Sequence, residues 1–279
     1  MRTEFKRPRD EHNDWHVCVY DIETIVCPGD EMPDGSFPPW PRHKPIAASF
    51  LLASTTDDGG TGFAFETVVL EDDDEVTFLL ACARLLAPGV TVSYNGRGFD
   101  ANVVRIRLMA HGIFSAMGIA QHAHAPRFGD AHCDLADQFS SYGATRKVSL
   151  AELCAPLGIP CKTSVHGGDV GALWRAGQTD TIRAYVEEDV AATYLLWLHW
   201  NAFRQCREDK FALPLSAFAQ WIEASDRDHL LPFATCPPAL RARQSAPGYR
   251  LARAVASAQR LVDHERNEAA FGGPIDFTT

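Results

Sequence analysis

Along the chain, short continuous runs of apolar residues alternate with longer stretches in which apolar residues return every three or four positions. Residues 16–26 (HVCVYDIETIV) form the first run. Eight of its eleven residues are apolar, β-branched or aromatic, which predicts a central strand buried on both faces. Two more strands are predicted at 46–54 and 62–70, and the Asp57-Asp58-Gly59-Gly60 between them is a hairpin signal. Residues 90–94 and 132–135 give a fourth and a last strand. Elsewhere the period lengthens. The run Asp72-Asp73-Asp74-Glu75 places acids where a helix begins and predicts a helix to Leu86. A second helix starts at Phe99, with Val103, Ile106, Met109 and Ala110 at spacings of three and four. A long amphipathic helix is predicted over 179–200, with helical segments after it broken at Pro214, Pro232 and Pro237-Pro238. Strands interleaved with helices, plus one hairpin, make an α/β protein: a mixed sheet flanked by helices, with a helical C-terminal extension. The expected divisions are a loose, charged N-terminus at 1–14, a sheet domain at 15–202 and the extension at 203–279. Residues 28–45, with six prolines and two glycines, read as a long ordered loop after the first strand.

Acids interrupt this pattern in three places. Asp21 and Glu23 lie inside the first apolar run. With a period of two they project from one face, roughly 7 Å apart at about 3.3 Å per residue. Two like charges on a buried strand both ionise near neutral pH only with a cation between them. A strand end with both acids in water is the competing reading. Asn95-Gly96-Arg97-Gly98-Phe99-Asp100 follows the fourth strand, so Asp100 falls at a strand-to-helix junction. A helix-starting acid explains Asp100 alone, but not the preceding glycine turn and aromatic. Tyr185 and Asp189 stand at i and i+4 on the long helix and share one face. A surface pair beside Glu187 and Glu188 is the simpler account of these two taken alone.

Composition narrows the class. The chain has 279 residues, 46% hydrophobic, and a net charge of −10 from 36 acidic and 26 basic residues. That charge argues against tight non-specific nucleic-acid binding, which needs many Lys and Arg contacts to phosphate. It leaves room for a protein that grips a few nucleotides at an end. No apolar stretch reaches the length of about 18 residues that a membrane helix needs, and the N-terminus shows no apolar signal segment. A soluble, intracellular, cytoplasmic protein is expected. The eight cysteines are scattered without a C-x-x-C pair, which fits a reducing compartment. His111, His122, His124 and His132-Cys133 match no standard zinc spacing. Asp134, in the last strand, is not offered as a metal ligand. Five arginines between Leu240 and Leu261 fit the solvated face of a packing helix better than a nucleic-acid contact.

Taken in order, D-x-E (Asp21, Glu23), N-G-x-x-F-D (Asn95 to Asp100) and Y-x-x-x-D (Tyr185, Asp189) resemble the three motifs of the DEDD superfamily of 3′→5′ exonucleases, which have a ribonuclease H-like fold. Within it the chain is most similar to the predicted exonucleases related to the proofreading domain of family-B DNA polymerases. The likeness spans residues 15–202 and includes the linking stretches 148–153, 157–162 and 168–174. Position 184, where one branch carries histidine, is Ala184, and Tyr185 matches the other, tyrosine branch. The resemblance implies two divalent ions, Mg²⁺ or Mn²⁺. Asp21 would serve both, Glu23 and Asp189 would complete the ion that activates water, and Asp100 would hold the other. Tyr185 would orient the water. Thr24, Asn95, Phe99 and Lys162 are candidate substrate contacts. Lys147, like the arginines after Leu240, fits a solvated position better than a nucleic-acid contact. The implied substrate is the 3′ end of a single strand, DNA before RNA, with no membrane partner. The residues after Trp200 are too few for a polymerase domain, so a proofreading or repair role implies a separate partner. The alternative is a non-catalytic ribonuclease H-like module that binds nucleic acid or a protein. Degenerate copies lose an acid, whereas all four acids and Tyr185 are present here.

Overall fold

The computed structural model describes residues 17–56, 60–86, 89–116, 125–129, 131–161 and 167–271. Its five-stranded sheet has the order β3-β2-β1-β4-β5. The strands are β1 (Val17–Val26), β2 (His43–Thr55), β3 (Thr61–Val69), β4 (Val90–Ser93) and β5 (His132–Asp134). β1 to β3 form an antiparallel meander, while β4 and β5 run parallel to β1. This mixed sheet, flanked by helices, is the expected ribonuclease H-like architecture. β1 lies at its centre, as a strand with Cys18, Val19, Tyr20 and Ile22 all buried should. The tip of the β2–β3 hairpin, at 57–59, lies outside the described residues.

The helices are α1 (Glu75–Leu85), α2 (Asp100–Ala110), α3 (Leu135–Phe139), α4 (Leu150–Cys154), α5 (Val170–Arg175), α6 (Thr179–Gln205), α7 (Asp209–Glu223), α8 (Leu231–Thr235) and α9 (Pro237–Phe271). Asp74 caps α1: its carboxylate accepts from the Thr77 backbone N–H at 3.1 Å. On β1, Val19 faces the core shared with α6 and α7, and Cys18, Tyr20 and Ile22 face the core shared with α1 and α2. Asp21 and Glu23 continue the Val19 row, and so point toward α6.

Two expectations need correction. Helix α6 is not simply amphipathic, because every residue from Tyr185 to Leu196 is buried. The sheet covers one side and the segment after it covers the other. The surface reading of Tyr185 and Asp189 therefore fails, and Glu187 and Glu188 beside them are interior as well. The break expected at Pro214 does not occur, since α7 runs through it. Burial of Leu215, Phe218 and Ile222, at roughly 1.5–3 kcal/mol each, outweighs the lost hydrogen bond and ring clash of about 3 kcal/mol. The other breaks appear as helix starts, with Pro232 in the first turn of α8 and Pro237 opening α9.

Residues from α7, α8 and α9, among them Leu215, Phe218, Phe233 and Ala239, belong to the same core as Val19, Leu51 and Val92 of the sheet. A polar link reinforces this packing. The buried Glu187 accepts from Thr67 Oγ1 of β3 at 2.6 Å, Arg227 Nε at 3.2 Å and His229 Nε2 at 2.8 Å. Burial pushes the Glu187 carboxyl up, but His229, Thr67 and Arg227 together hold it below its ordinary value. Helix α9 lies antiparallel to α7, with Arg243 paired to Glu223, Tyr249 to Glu208 and Arg253 to Asp209.

Candidate active site

Asp21 and Glu23 of β1 meet Asp189 of α6. One carboxylate oxygen from each lies within 4.8 Å of the other two. Asp189 is buried, and the two strand acids are half-buried. Three like charges this close repel strongly unless a cation joins them. All the donors are carboxylate oxygens, the ligands hard divalent ions take. The cluster therefore fits such an ion. Among the described residues no other group of three His, Cys, Asp or Glu converges in this way. In particular, His111 contacts Glu75 at 3.0 Å and His132 contacts Ser93 at 2.8 Å, while His122 and His124 lie outside the described residues.

Tyr185 stands one turn before Asp189 and donates its hydroxyl hydrogen to that carboxylate. Burial first, then the charges of Asp189, Glu23 and Asp21, push the phenol far above its ordinary value, so the hydroxyl keeps its proton. Asp100 approaches from another side. It is the first residue of α2 and is buried, with its carboxylate accepting from the backbone N–H of Ile22. That N–H is available because β4 pairs with β1 only at Val17 to Val19, leaving the next stretch of β1 open on this edge. Burial raises the Asp100 carboxyl, and the nearby Asp134 raises it further. Asp100 thus stands between the two strand acids in sequence register, beside the three-carboxylate cluster but not within it.

The loop carrying Asp100 is built by backbone geometry. Asn95 has φ +63°, a left-handed conformation that Asn tolerates well. Gly96 has no room for a side chain: a Cβ there would stand 2.6 Å from Ser93 Oγ and 2.7 Å from the Tyr20 hydroxyl. Asp134 fixes the loop, accepting from the N–H of Asn95 and of Arg97, both at 2.9 Å, while also capping α3. Asp134 thus holds the backbone of the loop that presents Asp100. Asn95 Oδ1 accepts from Lys147 Nζ at 2.8 Å.

Thr24 and Phe99 come together through a residue that the motifs do not reveal. His43 Nδ1 lies 2.9 Å from Thr24 Oγ1, and its Nε2 lies 3.1 Å from the Pro38 carbonyl. A carbonyl can only accept, so Nε2 carries the hydrogen and neutral Nδ1 accepts from Thr24. The His43 ring packs edge-on against Phe99 at 4.9 Å and against Phe37 at 4.8 Å. Burial holds its pKa below the ordinary histidine value. Only strand register brings His43 to this place, where it faces Val26 across β1 and β2. No local sequence signal marks it. Lys162 lies outside the described residues.

Among known families, residues 35–236 match the one described as a predicted 3′-5′ exonuclease related to the exonuclease domain of PolB. Asp100, Tyr185 and Asp189 fall inside this span, whereas Asp21 and Glu23 precede it. The structure of the family B DNA polymerase from the hyperthermophilic archaeon Pyrobaculum calidifontis is similar at 20% identity and a TM-score of 0.48 over 79% of this chain. The chain spans 27% of that polymerase's length. No curated protein matches the chain. No helix of the described residues is long and apolar enough to cross a membrane.

Proposed function

The chain belongs to the family of predicted 3′→5′ exonucleases related to the exonuclease domain of PolB, and from that premise we propose that it hydrolyses phosphodiester bonds at the 3′ end of single-stranded nucleic acid, DNA in preference to RNA. The observation that carries this reading is the convergence of Asp21, Glu23 and Asp189 within 4.8 Å. Asp21, Glu23 and Asp189 would hold one divalent ion, Mg²⁺ or Mn²⁺, and Asp21 with Asp100 a second. When bound, such ions supply a nucleophilic water of lowered pKa and neutralise charge on the leaving 3′-oxygen. The protein contributes position and charge, which is most of what phosphoryl transfer asks of it.

Tyr185 keeps its proton, so it orients the attacking water by hydrogen bonding and does not act as the base. Thr24 and Phe99, held by His43, would close the cleft around the terminal sugar and base. Asn95 stands on the loop that brings Asp100 to the site, and we assign it a contact to the strand. Lys162 is retained as a candidate contact. A separate polymerase or repair protein is the partner class this activity would serve, in a cytoplasmic setting. We take residues 15–202 as the exonuclease domain and 203–279 as its helical extension.

The test uses a 5′-labelled single-stranded DNA and a matched RNA, with Mg²⁺, with Mn²⁺ and with EDTA. A ladder shortening from the 3′ end, lost with EDTA and at background in Asp21→Ala, is the expected result. Intact strands under both metals would overturn the reading and leave a binding module.

A further inference from the structure

The carboxyl ends of the parallel strands β1, β4 and β5 open on one edge of the sheet, where ligands of α/β proteins gather. The acids of β1 and the loop after β4 occupy two of these ends. The third, after β5, carries Tyr142 in an unusual backbone. Ser141, Tyr142 and Gly143 have φ of +49°, +57° and +97° in succession. For a bulky aromatic this is a strained conformation, of the kind that concentrates at binding sites. The strained turn sets the Tyr142 ring 4.5 Å from that of Phe128, with the Arg127 guanidinium 5.8 Å from its centre. Phe128 is 74% exposed.

The same surface is basic in an acidic protein. Arg127, Arg97 and Lys147 all face the single carboxylate of Asp137, at 2.8, 3.9 and 3.7 Å. Counting the buried Asp134 behind it, three cations face two carboxylates, while the chain as a whole carries −10. The patch is also continuous with the candidate active site, because Lys147 bridges Asp137 and Asn95 of the loop that holds Asp100. We infer that the face formed by Arg127, Phe128 and Tyr142 receives the single strand behind its 3′ end. Bases would stack on the two rings and phosphates would take the basic groups, a combination suited to sequence-tolerant binding. This inference rests on the function proposed above.

Binding is measured by fluorescence anisotropy in the Asp21→Ala background with Mg²⁺, using 5′-labelled thymidine oligomers of about three and about eight nucleotides. Phe128→Ala should weaken the longer strand about tenfold and abolish the preference for length. Tyr142→Asn should do the same without lowering the thermal midpoint, because Asn accepts positive φ. Phe203→Ala is the control: that residue is 79% exposed, and about 21 Å along α6 from Asp189. It should change nothing. If the enzyme shortens 3′ ends and prefers longer strands, yet both variants bind as tightly as their parent, this inference alone falls. If neither oligomer binds and no strand is shortened, the proposed function falls with it.

Discussion

Tyr185 and His43 show how burial decides what a side chain can do. Tyr185 is held protonated by burial and by three neighbouring carboxylates, so its contribution is a directed hydrogen bond. Tyr185→Phe should lower kcat on a single strand about a hundredfold with little change in KM, the size expected for a positioned proton-bearing group. Equal losses in Tyr185→Phe and Asp21→Ala would argue against this division of roles. His43 makes its prediction through stability. Its folded pKa lies below the ordinary value of about 6.5, so between the two values the unfolded chain binds more protons than the folded one. Stability therefore is fully present above about pH 6.5 and declines as pH falls toward the folded pKa. Urea denaturation from pH 7 to 5 should show a shallower decline for His43→Gln than for the parent, and parallel slopes would remove His43 from the account. Both side chains also mark where sequence reading stops. Tyr185 was visible through its spacing to Asp189. His43 was not, because its neighbours Thr24 and Phe99 reach it through strand pairing and a distant loop.

Among the elements, β1 and α6 carry most of the site, and their sequences disclosed it unequally. Alternation along β1 was enough to put Asp21 and Glu23 on one face, because a period of two leaves no choice once the strand is central. Helix α6 misled at Glu187 and Glu188. Adjacent acids on a helix usually mean water, and only the packing of β3 and the 227–229 segment against that side makes them interior. Glu187 joins three parts of the chain, and its loss would leave Arg227 and His229, about 30% and 27% exposed, without their shared anion. Glu187→Ala should cost about 3 kcal/mol, the low end for breaking a buried ion pair, given that partial exposure. Chemical denaturation measures this directly, and a cost below about 0.5 kcal/mol, that of a surface change, would show the network to be ornamental. Pro214 misled in the opposite sense, since a helix breaker in sequence yields to enough apolar burial.

For the molecule as a whole, the arginines of α9 gather where β1 begins and the β2–β3 hairpin turns, away from the middle of β1 that carries the acids. A cavity joins Val17, Ala53 and Thr61 to Asp209 and Arg253, and a neighbouring one of about 950 Å³ adds Arg250 and Arg260. Val17 opens β1, whereas Asp21 lies about 13 Å further along it. On the path inferred above, a strand whose 3′ end is at Asp21 leaves past Arg127 and Phe128 and does not run over these arginines. The double variant Arg250→Gln, Arg260→Gln should keep kcat/KM on short single strands within about twofold, the scatter of surface substitutions. A tenfold loss would require the strand to pass over the far end. Architecture was legible here from the order of strand and helix signals. The distribution of charge over the surface was not, because it depends on which residues the fold brings together.

Gly96 has a consequence for how this chain can change by descent. Its missing side chain is not a matter of backbone freedom. The space is already filled by Ser93 and Tyr20, both interior. Any step from Gly96 to another amino acid must displace the strand beneath it. That displacement carries Asp100 away with it. In any lineage of this chain that keeps Asp100 in use, position 96 is inherited as glycine, and a sister sequence with a side chain there is one that has given up the site.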